Sequence, residues 1–177
     1  MGTTIVSTPT FIEEGLSVRS NLSAGIIAGL IAGIIFGIAM QVMHAPTPDG
    51  GSMPMMAMVA QVVNSKSLAV GWIYHLFNSA VIGGLFGWFL GGRVGAFGSA
   101  VGWGAAYGVL WWVLGGLILM PMLLGMPAFA PLLMPMMRPV AFASLMGHVM
   151  FGIILGAGFG WLRRTAHEPP PGSARHA

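Results

Sequence analysis

Four stretches of the chain consist almost wholly of apolar side chains: residues 23–43, 70–90, 99–120 and 140–162. Each is close to the about 20 residues that a helix needs to cross a hydrocarbon layer. None has Asp, Glu, Lys or Arg in its interior. A helix that is apolar all round cannot face water, so the pattern predicts four transmembrane helices. Polar residues collect at 1–22 and 163–177, read as a loosely ordered N-terminal segment and a flexible tail containing Pro169, Pro170 and Pro171. The first run exceeds the apolar core of a signal peptide, about 7–15 residues, and follows Glu13 and Glu14; it reads as an uncleaved helix.

Composition agrees. Hydrophobic residues make up 56% of the 177 and charged residues 6%, against about 25% charged in soluble domains, so lipid must cover most of the surface. The net charge of +3 comes from basic residues at segment ends and does not form a nucleic-acid footprint. Arg19, Arg93, Arg163, Arg164 and Arg175 fall on one side of a four-span topology, and Lys66 and Arg138 on the other. The excess of basic residues predicts that both termini are cytoplasmic. With no Cys, disulfides and thiolate metal sites are excluded.

Two halves of the chain share a pattern. His75 is followed by Gly83, Phe86, Gly87 and Trp88; His148 is followed at the same spacings by Gly156, Phe159, Gly160 and Trp161. Gly29 and Gly33 answer Gly104 and Gly108, with Pro46 and Pro121 at one further offset. Met53-Pro54-Met55-Met56 and Met134-Pro135-Met136-Met137 each lie after the first span of a half, in segments too short to cross and read as interfacial or re-entrant helices. The expected fold is an all-α membrane protein of two parallel tandem helical-hairpin repeats. The transmembrane domain covers about 23–162, with repeat 1 at about 23–90 and repeat 2 at about 99–162.

Glycine recurs every fourth residue at Gly25, Gly29, Gly33 and Gly37, at Gly83, Gly87 and Gly91, and at Gly152, Gly156 and Gly160. Such stripes let membrane helices pack closely. Traced backwards, two of them end on His75 and His148, which predicts both histidines on protein-facing sides with Asn78 and Ser144 nearby. Ionisable groups inside a membrane default to functional candidates, although a histidine hydrogen-bonded between helices explains the same pattern.

Apart from Met1, all fourteen methionines lie in windows 40–58 and 120–150, on the expected outer side with His44, His75 and His148. Thioether and imidazole donors suit Cu(I). The candidate copper ligands are His75, His148, His44, Met146, Met150 and Met40; ordinary apolar packing is the alternative role of the methionines. A second cofactor reading is a bis-histidine haem b held by His75 and His148, for electron transfer. A third class is a small-solute or lipid carrier, which requires a cavity between the two repeats.

No zinc-protease, P-loop, dinucleotide or nucleophile-elbow motif occurs, and no intramembrane carboxylate is present for a proton relay. Gly147-His148 followed by Gly152 and Gly156, with the Met-Pro strings, resembles small, uncharacterised bacterial inner-membrane proteins of about four helices. That resemblance implies a bacterial inner-membrane protein and no defined activity. The chain therefore reads as a non-enzymatic subunit or accessory factor, in contact with the lipid bilayer and with other membrane chains or copies of itself.

Overall fold

The computed structural model describes residues 11–165 apart from Pro48 and Gly95. The expectations for residues 1–10 and for the tail at 166–177 lie outside the described residues. Four helices are long and apolar enough to span a membrane: Ser17–Val42, Leu68–Leu90, Phe97–Leu123 and Pro135–Thr165. Each matches one of the expected runs, the first ending one residue sooner, at Val42. The first belongs to α1 (Phe11–Val42), so residues 11–22, expected to be loosely ordered, continue the helix.

Between the first two spans the chain forms an antiparallel pair, β1 (His44–Pro46) and β2 (Ser52–Pro54), in the register Ala45 opposite Met53. Its turn is closed by Thr47, whose hydroxyl donates to Asp49 Oδ1, and by Gly50 at φ +83°. The Thr47 hydroxyl, with the Gly51 N–H, holds the Asp49 carboxyl below its usual range. Helix α2 (Met55–Val62) follows, then α3 (Leu68–Leu90).

Helix α4 (Phe97–Trp111) runs into a π-helical segment, Trp112–Leu119, and then α5 (Met120–Leu123). Pro121 explains the irregularity. It has no N–H to give the Leu117 carbonyl, which instead accepts the N–H of Phe129 at 2.6 Å. Phe129 takes a left-handed backbone, φ +64°, and starts the turn into α6 (Ala130–Leu133). A short 3₁₀ turn, Pro135–Met137, leads to α7 (Arg138–Thr165).

The helices pack in the order α3, α1, α7, α4, and α3 barely touches α4. Two stripes on α1 set this order. A Cβ on Gly25 or Gly29 would strike the backbone of Gly83 or Ser79, so backbone meets backbone between α1 and α3. Ala24, Ala28, Ala32, Phe36 and Met40 form a neighbouring buried stripe, on which Ala28 meets Gly158 and Phe36 meets Gly147 of α7. The Ile residues at 27, 31, 34, 35 and 38 are turned outward. The helix is thus small inside and branched outside, as suits packing in lipid, where bulk gains nothing between helices and close approach gains dispersion contacts.

The α4–α7 pair repeats the arrangement. A Cβ on Gly104 would strike Gly152 O and approach Gly156, and one on Gly156 would strike Ala100 O. One end of the bundle is tied by Arg163, which donates to Asn21 Oδ1 and reaches Gly91 O at 3.5 Å, while Arg164 sits 5.2 Å from the Phe97 ring. The starts of α1 and α4 and the ends of α3 and α7 therefore share that end. The methionines lie toward the other.

Gly83→Ala is expected to lower stability by about 1–3 kcal/mol, the range for an overpacked contact. Gly102→Ala, with nothing within 4 Å of the added carbon, is expected to change it little. Thermal unfolding of the two variants in detergent checks the difference.

Candidate functional site

His75 is buried on α3, and its Nε2 lies 2.9 Å from Gly33 O across the α1 interface. A carbonyl only accepts, so Nε2 carries the proton and Nδ1 the lone pair in the neutral ring. Ser79, one turn on, donates its hydroxyl to His75 O at 2.8 Å. His148 uses the opposite tautomer: Nδ1 lies 2.8 Å from Ser144 O, leaving Nε2 with the lone pair. Both histidines thus lie on helix-packing faces, as the glycine stripes imply.

A third ring stands between them. Phe36 from α1 is edge-on to His75 at 5.8 Å between centroids and to His148 at 5.1 Å. It fits because Gly147 has no side chain: a Cβ there would strike the Phe36 ring. The space left beside the three rings is about 50 Å³. A porphyrin ligated by both imidazoles would need the slot that Phe36 fills.

The other residues named from the sequence scatter. Met40 is buried and shares a cavity with His75. Met150 packs on the core. Met146 is 74% exposed, so its sulfur is turned away from His148. His44 is exposed at the start of β1, with Nδ1 3.0 Å from Val42 O. Of the six, His44 and Met146 are exposed, whereas His75, Met40 and Met150 pack in the interior.

Methionines do converge elsewhere. A cavity of about 380 Å³ at the methionine-rich end is lined by Met53, Met58, Met126, Met134, Met136 and Met137, with Gln61, Leu124, Pro46 and Thr47. An adjoining space of about 40 Å³ shares Met58, Met126 and Met137 and adds Met55 and Met120. The walls come from β2, α2, the loop after α5 and the 3₁₀ turn, so both Met-Pro-Met-Met strings contribute. The pattern that could have found this site was in view: the string occurs twice, each time with proline forcing a turn before a helix. What sequence reasoning missed is that the two strings face each other.

No carboxylate lines either space, and Gln61 Nε2 approaches Met53 S at 3.3 Å. Among the described residues no group of three or more His, Cys, Asp or Glu could hold a metal ion. Hard cations, which need oxygen donors, have no site of that kind there. The donor set on offer is thioether sulfur.

No family model, curated protein or solved structure matches the chain. Residue roles therefore rest on geometry and chemistry.

Phe36→Ala is expected to destabilise the fold by about 3–5 kcal/mol, as for a large core truncation. Phe77→Ala, at a side chain 63% exposed, is expected to cost far less. Unfolding of both variants by denaturing detergent measures the gap.

Proposed function

We propose that this chain is a non-enzymatic integral protein of the bacterial inner membrane that binds Cu(I) through methionine sulfur on its outer face. The observation that carries the reading is the methionine cavity: six of its ten lining residues are Met. Thioether sulfur is soft and uncharged, and it matches Cu(I) in preference to Mg, Ca or Zn. A thioether also takes up no proton in the ordinary pH range, so such a site holds its donors ready where a histidine site would titrate.

The placement has its own support. The end tied by Arg163 carries Arg19, Arg93 and Arg164, so the positive-inside rule makes it cytoplasmic and turns the methionine cavity outward. The matching contacts of Gly29 with Ser79 and Gly83, and of Gly104 with Gly152 and Gly156, support descent of the two hairpins from one duplicated unit. A parallel repeat then brings both Met-Pro strings to the same side. The outer flanks of α3 and α4, with Ile73, Phe77, Trp103 and Leu110 exposed, suit lipid or the helices of a partner chain, as expected of an accessory subunit.

In this reading His75 and His148 hold helices together and are not the metal ligands, since Phe36 separates them. The haem reading gives way for the same reason.

Loading the detergent-purified protein with Cu(I) under reducing conditions, followed by elemental mass spectrometry and X-ray absorption at the copper edge, is expected to give stoichiometric copper with sulfur neighbours. The triple variant Met53→Leu, Met126→Leu, Met136→Leu should lose the metal and keep the fold. His75→Ala with His148→Ala should keep the metal and lower stability. Copper surrounded only by nitrogen, or lost with the histidines, would overturn the reading, as would no copper at all.

A further inference from the structure

A different cavity lies within the span. A cleft of about 240 Å³ lies between α3 and the stretch from Trp111 through Leu119 to α5, with Phe36 and Met40 of α1 and Val59 and Val62 of α2 completing its lining. Its mouth is formed by Val81, Leu119 and Leu123, which are 45%, 50% and 58% exposed and open toward lipid. Its deep end adjoins the small space beside the histidines; Phe36, His75, Asn78, Ile82 and Trp111 line both.

The polar groups of the cleft are short of partners. Trp111 Nε1 is fully buried, with no surface toward the cleft, and makes only a loose contact to the Tyr107 side chain in place of a close hydrogen bond. Its neighbour Tyr107, edge-on at 6.1 Å, gives its own hydroxyl to Ile82 O at 2.9 Å. The Asn78 amide makes no hydrogen bond among the described residues. In hydrocarbon no water is at hand to satisfy such groups, and an unmet donor is costly. The Asn78 amide is thus an uncommitted donor bordering this apolar, aromatic-walled space, whereas His75 has committed its own N–H to Gly33 and Trp111 Nε1 has no surface toward the cleft.

The backbone is also irregular here. The π turns begin at Trp112, directly after Trp111, and end at Leu119 on the cleft mouth. Single π turns recur at functional sites, because they widen a helix at the cost of regular hydrogen bonding. Of this stretch, Leu119 lines the cleft, between Trp111 before it and Met120 and Leu123 after it.

We propose that this cleft binds a membrane-dissolved amphiphile whose ring carbonyl, of the quinone type, accepts a hydrogen bond from the Asn78 amide, with the Trp111 ring as a wall. Its tail leaves between α3 and the π segment. The volume falls a little below the about 300–1,000 Å³ of enclosed small-molecule pockets, which fits a head group inside and a tail in lipid. Phe36, Tyr74 and Trp111 offer ring faces and edges to a flat head. A glycerolipid ester has the same acceptor chemistry but no ring to use those walls. The site shares no residue with the large methionine cavity, so it stands or falls independently of copper binding.

The test is titration of the full chain in detergent with decylubiquinone, following quenching of tryptophan fluorescence. A saturable phase is expected, weakened about tenfold in Asn78→Val and less in Trp111→Phe, which keeps a ring in the wall. It should be unchanged in the methionine triple variant. Unaltered unfolding temperatures of the two cleft variants separate lost binding from lost fold; if Trp111→Phe does not fold, Asn78→Val alone decides. Quenching that rises without saturation, or is equal in folded Asn78→Val and the parent, would overturn the proposal. Displacement of decylubiquinone by an equal amount of dioleoylglycerol would overturn the ring-carbonyl assignment in favour of a glycerolipid ester.

Discussion

Backbone-to-backbone contact at glycine is the constraint on which this bundle depends. In a bilayer, which the four long apolar helices suit, the surroundings are as apolar as the side chains, and no hydrophobic force would drive these helices together. What remains is dispersion, which grows steeply as two backbones approach. Gly25, Gly29 and Gly83 on one side, and Gly104, Gly152 and Gly156 on the other, allow that approach because they carry nothing between the chains. The remaining features follow. Close glycine seams hold α3 to α1 and α4 to α7, and the alanine stripe of α1 joins the two pairs. Beyond those seams, α3 and α4 barely touch each other.

The two unusual features of the molecule lie together. The cleft lies between α3 and the stretch from Trp111 to Leu123, to which the π segment contributes Leu119. The histidines belong to the seams. His75 spends its N–H on the Gly33 carbonyl, a group that an all-glycine stripe leaves accessible to a neighbouring side chain. Ser144 O likewise receives the His148 N–H, so the second ring is oriented by its own helix.

Much of the fold was legible in the sequence because it rests on spacing. Four spans follow from run length, and the buried faces of α1, α3, α4 and α7 follow from glycine every fourth residue. Residues four apart share a face whatever else the chain does. The histidines at the ends of those stripes were legible for the same reason. The interposed Phe36 was not: its meeting with Gly147 links α1 to α7, and no spacing within one helix encodes a contact between two. The early start of α1 escaped because polar residues at 11–22 mark the end of the apolar run and not of the helix.

The methionine site marks the same limit from the other direction. Met146 and Met150 were placed near His148 because they flank it in sequence, yet on a helix residues two apart point to different sides. Met146 is accordingly exposed while Met150 is packed inward. The methionines that do converge come from four segments separated by proline and glycine turns, and their meeting depends on two irregular connections. One is the β1–β2 hairpin, closed by Thr47 and Asp49. The other is the Leu117 carbonyl, freed by Pro121 and capped by Phe129, which bends the chain so that Met126 and Met134 return over α2. Apolar periodicity carries no information about such turns, but backbone hydrogen-bond accounting does: a proline that orphans a carbonyl near a membrane surface requires a donor from elsewhere, and the segment supplying it must fold back. At Pro121 that requirement, more than any preference of methionine for methionine, builds the cavity.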